Sequence, residues 1–192
     1  MLFAALASAL ALAADPGMPP ANASVYDPGA PKMDEAAGIV AYSAEQGPIL
    51  VGIVRAGCAV TLPRATWRFW RDDRALLRGN AGALNLTVEA GETDRTPRAV
   101  LDGWAKQIRS QFGEAVDRSE VREGPEGAVL VVATDLARHV KATTGKDSFP
   151  GARQIGMFAA KRRGTVTFTV HLSATLGPRD AGPDEAQWRI HP

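Results

Sequence analysis

Three histidines, His139, His171 and His191, and one cysteine, Cys58, are the side chains of this 192-residue chain that titrate nearest neutral pH. His171 has the most telling surroundings. Val166, Phe168, Val170 and Leu172 alternate with Thr165, Thr167, Thr169, His171 and Ser173, and the two-residue period of a strand sets the second group in one polar row. Hydroxyls with one imidazole can line a groove for a polar ligand. They can equally form a solvated face on which threonine serves strand propensity. Asp135 and His139 share a face only if their segment is helical, and no third ligand accompanies them, so no metal site is expected. Cys58 lies among Ala59, Val60 and Leu62, the setting of a small core residue, and no motif pairs it with a histidine. No catalytic residue is assigned.

Thr143-Thr144-Gly145-Lys146-Asp147-Ser148 has the flavour of a phosphate loop but lacks the upstream glycine, and Asp147 separates the Lys–Ser pair. The densest basic and aromatic stretch is Arg64 to Arg78, with Arg64, Arg68, Arg71, Arg74 and Arg78 among Trp67, Phe69 and Trp70. Such interleaving can bind single-stranded nucleic acid by stacking and phosphate contact. Alternation instead sends Trp67 and Phe69 inward together. Trp70 falls on the arginine face, where an exposed Trp beside Arg68 and Arg71 would anchor a protein contact. Arg68, Trp70 and Arg71 are therefore the first candidate binding residues, and Thr167, Thr169 and His171 the second. Asn85, Thr87 and Glu89 join the second group if their strand shares a sheet face with it.

Charge excludes some partners. Lys plus Arg number 22 against 21 acidic residues, and a net charge of +1 provides no global attraction for nucleic acid or an anionic membrane. No nucleic-acid partner and no cofactor is expected. A single cysteine allows no intramolecular disulfide, and 45% hydrophobic residues suffice for a sizeable core. Met1 to Ala14 is apolar or small throughout, and Ala11-Leu12-Ala13 offers a small-x-small cleavage site, although a positive n-region is missing. It is too short to span a bilayer, so it reads as a signal peptide for export to the periplasm or medium, and no transmembrane segment is expected. Asp15 to Glu35, with five prolines, reads as a Pro/Gly-rich linker. Residues 36–192 then form a single domain.

The elements that must position these residues follow from periodicity. Ala36–Tyr42 and Pro48–Arg55 read as a hairpin, Gly57–Leu62 as a third strand, and Ala65–Arg71 and Ala75–Arg78 as two more. A turn is expected at Gly79–Gly82, then a half-buried strand at Ala83–Glu89. The strongest element is Thr96–Gly113. Thr96 is placed to cap it, Pro97 occupies the first turn, and Val100, Leu101, Trp104, Ile108 and Phe112 share one face before Gly113 stops it. Asp117–Glu123 has the charge of an exposed edge strand, and Ala128–Thr134, apolar on both faces, that of a central one. Leu136–Gly151 reads as an irregular insertion with one helical turn. Gln154–Ala160 and Thr165–Ser173 form a hairpin, and Asp184–Ile190 has room for a weak terminal helix. The class is α+β, a mainly antiparallel sheet backed by one strong helix at 96–112.

Val60-Thr61-Leu62-Pro63 followed by Trp67, the strand Leu84-Asn85-Leu86-Thr87-Val88-Glu89, the helix with Leu101 and Trp104, the strand through Val131 and the hairpin Gln154 to Leu172 together resemble the PsbP-like domain family. The resemblance spans roughly residues 57–174. The family takes its name from an extrinsic subunit of the photosystem II oxygen-evolving complex. The resemblance implies a binding or assembly module rather than an enzyme. It identifies no functional residue, and the hairpin at 36–55 has no counterpart in it. The expectation is an exported, non-catalytic accessory domain that docks to a protein partner of the cell envelope. A small-ligand carrier using the Thr167–His171 face is the first alternative, and a hydrolase built on Cys58 or His171 the second.

Overall fold

The strong helix forms where its caps and apolar face place it. In the computed structural model, which describes residues 19–29, 32–35, 38–43, 47–71, 73, 75–124, 127–179 and 189–191, α1 runs Pro97–Phe112. The Thr96 hydroxyl accepts from the Ala99 N–H at 3.2 Å. Gly113, at φ 55°, ends the helix with its N–H on the Arg109 carbonyl. Leu101, Trp104, Ile108 and Phe112 are buried. No helix among the described residues is long and apolar enough to cross a membrane.

The chain is α+β and its strands pair antiparallel throughout. The large sheet has the order β1 (Ser24–Tyr26), β6 (Trp67–Trp70), β7 (Leu77–Ala81), β8 (Leu84–Glu92), β12 (Val166–Leu176), β11 (Arg153–Arg163), β10 (Gly127–Asp135), β9 (Val116–Gly124). The small sheet has the order β13 (Arg189–His191), β5 (Cys58–Leu62), β4 (Ile49–Ile53), β3 (Ile39–Ser43), β2 (Lys32–Asp34). A core between the sheets gathers Ile39, Val51 and Leu62 from the small one with Trp67, Phe69, Leu86 and Leu172 from the large one. A second core, on the opposite face of the large sheet, packs α1 against Leu130, Val132, Phe158 and Ala160. The hairpin at 36–55 thus finds its place as β3 and β4, the middle of the small sheet.

Several expectations are corrected. The stretch 15–35, read as a linker, contains β1 and β2. Tyr26 is buried in the inter-sheet core, and its hydroxyl donates to Ser43 Oγ at 3.2 Å. The turn expected at 79–82 is a strand up to Ala81. Gly79 lies opposite Phe69, and a Cβ there would stand 3.0 Å from the Phe69 ring, so its glycine makes room for the aromatic rather than for a turn. The apolar strand β10 is next to the edge, not central. Its two faces are apolar because α1 covers one and Val129 packs toward the inter-sheet core on the other. The segment expected as irregular holds α2 (Leu136–Thr144), capped by Asp135, which accepts from the Arg138 N–H at 2.9 Å, and closed by Gly145 at φ 71°. Of the terminal helix expected at 184–190, residues 184–188 lie outside the described residues, and Arg189–His191 is strand paired with β5. The leader at 1–14 also lies outside the described residues.

Candidate functional site

Register shows what the large sheet brings together. Directly opposed residues of antiparallel strands point to the same face. One such row crosses the sheet as Trp70, Arg78, Thr87, His171, Phe158, Leu130, Val121. A parallel row reads Arg68, Asn80, Asn85, Ser173, and another Glu89, Thr169, Ala160. Helix α1 packs over β9, β10 and β11. The rest of that face, on β6, β7, β8 and β12, carries Arg68, Trp70, Arg78, Asn80, Asn85, Thr87, Glu89, Thr169 and His171. Arg68 and Trp70 of the first candidate group therefore lie on the same half-face as Thr169 and His171 of the second, Asn85, Thr87 and Glu89 share it with the His171 row, and Arg71 falls beyond the end of β6.

Side chains on this half-face are tied to one another. Arg78 donates to Thr87 Oγ1 at 3.4 Å, and Asn80 Nδ2 to Asn85 Oδ1 at 2.9 Å. His171 stands at the border between the half that α1 covers and the rest of the face. Its ring stacks on Phe158 with centroids 4.1 Å apart and planes 7° apart, and Trp104 of α1 meets the far side of that cluster edge-on at 5.2 Å from Phe158. Burial pulls the imidazole pKa down to about 4, so His171 is neutral at pH 7. Its Nε2 is sealed from solvent with no hydrogen-bond partner among the described residues. The same holds for Thr167 Oγ1, at the end of the row, where Thr167 is buried rather than lining an open groove.

Individual candidates separate here. Arg68 is exposed as expected. Trp70 is only 9% exposed, so it is not the free anchor read from the alternation. Alternation sets the face correctly but says nothing of what covers it. Arg71 follows the end of β6, half-buried, with Nε sealed and unpartnered among the described residues. His139 lies on α2 with its ring 4.5 Å from that of Phe112, while Asp135 is spent on the α2 cap. Cys58 is half-buried. Desolvation raises its thiol pKa against the opposing pull of Arg163 and Lys161, which keeps the sulfur protonated. The side chain of His191 is outside the described residues.

A second surface was not singled out by residue chemistry. On the small sheet Ile39, Ala41, Ile49, Val51, Val60 and Leu62 point into the core. The alternate residues Val40, Tyr42, Leu50, Gly52, Ala59 and Thr61 point outward, with Met33 of β2 opposite Val40 and Leu50 opposite Tyr42. Met33 is 69% exposed, Tyr42 53%, Val40 44% and Leu50 42%. None of these outward positions on β3, β4 or β5 carries a charge. Strands β2 to β5, three to five residues long, at ~4.8 Å spacing and ~3.3 Å per residue, present about 300 Å². The signal was legible: Ile39–Tyr42 and Ile49–Ile53 are apolar without alternation, so each has a second apolar face once one is buried.

No family model and no curated protein matches this chain. Among solved structures it is similar to the solution structure of cyanobacterial PsbP from Synechocystis sp. PCC 6803, at 11% identity, covering 72% of this chain and 81% of that one, with a TM-score of 0.38. No residue of either surface is carried over from that likeness.

Proposed function

We propose that this chain is an exported docking domain that holds a protein partner of the cell envelope against the outer face of its small sheet. The observation that supports this reading is the uncharged surface of Met33, Val40, Tyr42 and Leu50. Contiguous apolar patches of a few hundred Å² on a soluble domain are commonly functional. A partner suited to it presents a flat apolar surface without charges, because a charge set against Val40 or Leu50 would be desolvated with nothing to pair with. At about 300 Å² per side the contact is below that of a standard interface, so the association is transient. Export rests on the apolar leader Met1–Ala14, and N-terminal sequencing of the mature protein tests it: a start near Asp15 supports export, and a retained Met1 overturns it.

A photo-crosslinking residue at position 42, compared in cells with one at position 68, tests the docking face. A defined protein captured from 42, and lost when Leu50 becomes Lys, supports the reading. Capture from 68 alone, or capture from 42 that ignores Leu50→Lys, refutes it. A second reading is favoured by the polar half-face, where the β8 and β12 rows meet and His171 Nε2 is sealed with no partner among the described residues: a carrier of a small polar ligand. Retention of a small molecule that is lost in Thr169→Val and Thr87→Val would support it.

A further inference from the structure

A groove of about 340 Å³ separates α1 from β9, the outermost strand of the large sheet, and neither function above uses it. Its walls are Arg98, Asp102, Ala105, Lys106, Arg109, Ser119 and Val121, three cations against one carboxylate. The cations are not equivalent. Arg98, at one end of the helix row that lines the groove, is committed, 3.2 Å from Asp102 and 3.4 Å from Glu123. At the other end Arg109 donates to the Ser119 carbonyl at 2.9 Å. Between them Lys106 has no carboxylate within ion-pair distance among the described residues. Ser119 Oγ lies on the strand wall, sealed and without a hydrogen-bond partner among the described residues. Ala105 and Val121 add apolar lining.

We propose that this groove binds a carboxylate attached to a short apolar body. The carboxylate sits between the Lys106 ammonium and Arg109, whose guanidinium leaves the Ser119 carbonyl and in doing so uncovers the Ser119 hydroxyl as a third donor. Charge-assisted hydrogen bonds of this kind are stronger than neutral ones. The apolar body lies on Ala105 and Val121. A metal cation is the wrong ligand, since the groove has one carboxylate, already on Arg98. An uncharged ligand would leave Lys106 unpaired. The carboxylate can come from a free small acid or from the chain end of an extended peptide lying along β9, and the two share this chemistry.

Amide chemical-shift titration of the full chain distinguishes them. The probes are isovalerate, a six-residue peptide of alternating Thr and Val with a free C-terminal carboxylate, and the same peptide amidated. The expected result is saturable shifts at Lys106, Ser119 and Val121, weakened at least tenfold in Lys106→Met and about fivefold in Ser119→Ala. Lys106 is exposed, so its replacement leaves α1 folded, which the unperturbed amides of Leu101 and Ile108 will show. Tighter binding of the free-acid peptide than of isovalerate assigns the site to a chain end, and binding of isovalerate with neither peptide assigns it to a small acid. No saturable shift with any probe, equal binding of the amidated peptide, or indifference to Lys106→Met overturns the proposal.

Discussion

His171 illustrates how one side chain can be chemically capable and yet packed for another purpose. Its ring is stacked on Phe158, and burial holds its pKa at about 4 against an ordinary 6.5. Between those two pH values the unfolded chain takes up a proton that the native ring refuses. Stability is therefore whole above pH 6.5 and falls as pH drops toward 4. Denaturation at pH 7.5 and pH 4.5 is expected to show wild type losing about 1–3 kcal/mol more than His171→Phe, which keeps the stack without the titration. Equal losses in the two proteins would show that the ring is not sealed. Tyr42 and Leu50 are expected to behave in the opposite way: Tyr42→Lys and Leu50→Lys change stability by no more than about 0.5 kcal/mol, because both side chains are exposed in the free chain. A larger loss would mean that the outer face is already covered. The polar row through His171 was readable from the two-residue period alone. The burial of Trp70 was not, because a period assigns a residue to a face and leaves open what lies over that face.

At the scale of elements, α1 is where local signals and tertiary packing agree. Thr96→Ala removes one capping bond and is expected to cost about 1 kcal/mol. Trp104→Ala empties a site against Phe158 and is expected to cost about 3–5 kcal/mol. Urea denaturation measures both, and a midpoint unchanged in Trp104→Ala would contradict the packing described. This helix was legible because its caps, its proline and its apolar stripe are all local. By contrast α2 is nine residues long and buries no side chain fully, so its apolar side amounts to little more than Leu136 and Val140, too short a stripe to establish a period, while Asp135 and Gly145 mark its ends. The strands β1 and β2 are three residues each within a proline-rich stretch, and they exist because β6 and β3 offer edges to pair with. Such pairing is a long-range event that no window of sequence displays. The hairpin of β3 and β4 lies between these cases: its strands were plain, whereas its assignment to a separate small sheet depends on which strands it pairs with.

For the molecule as a whole, two sheets share one core and α1 covers the β9–β11 part of the far side of the larger, while Met33, Val40, Tyr42 and Leu50 on the outer face of the small sheet stay exposed among the described residues. That exposed face, rather than any cluster of titratable groups, is what the docking reading rests on, and the sequence displays half of it: the unalternating runs Ile39–Tyr42 and Ile49–Ile53 give each strand two apolar faces, whereas which of the two is covered depends on long-range packing. The polar half-face beside α1 offers a rival surface on the same chain, and the two are far enough apart in chemistry to be separated by substitution. The decisive measurement is the equilibrium affinity of the partner captured from position 42 for three purified forms of the chain: wild type, Tyr42→Lys with Leu50→Lys, and Arg68→Ser with Thr169→Val. The docking account predicts at least a tenfold loss in the small-sheet variant and wild-type affinity in the polar-face variant. Retained affinity in the first, with loss in the second, would contradict it and move the binding surface to the large sheet.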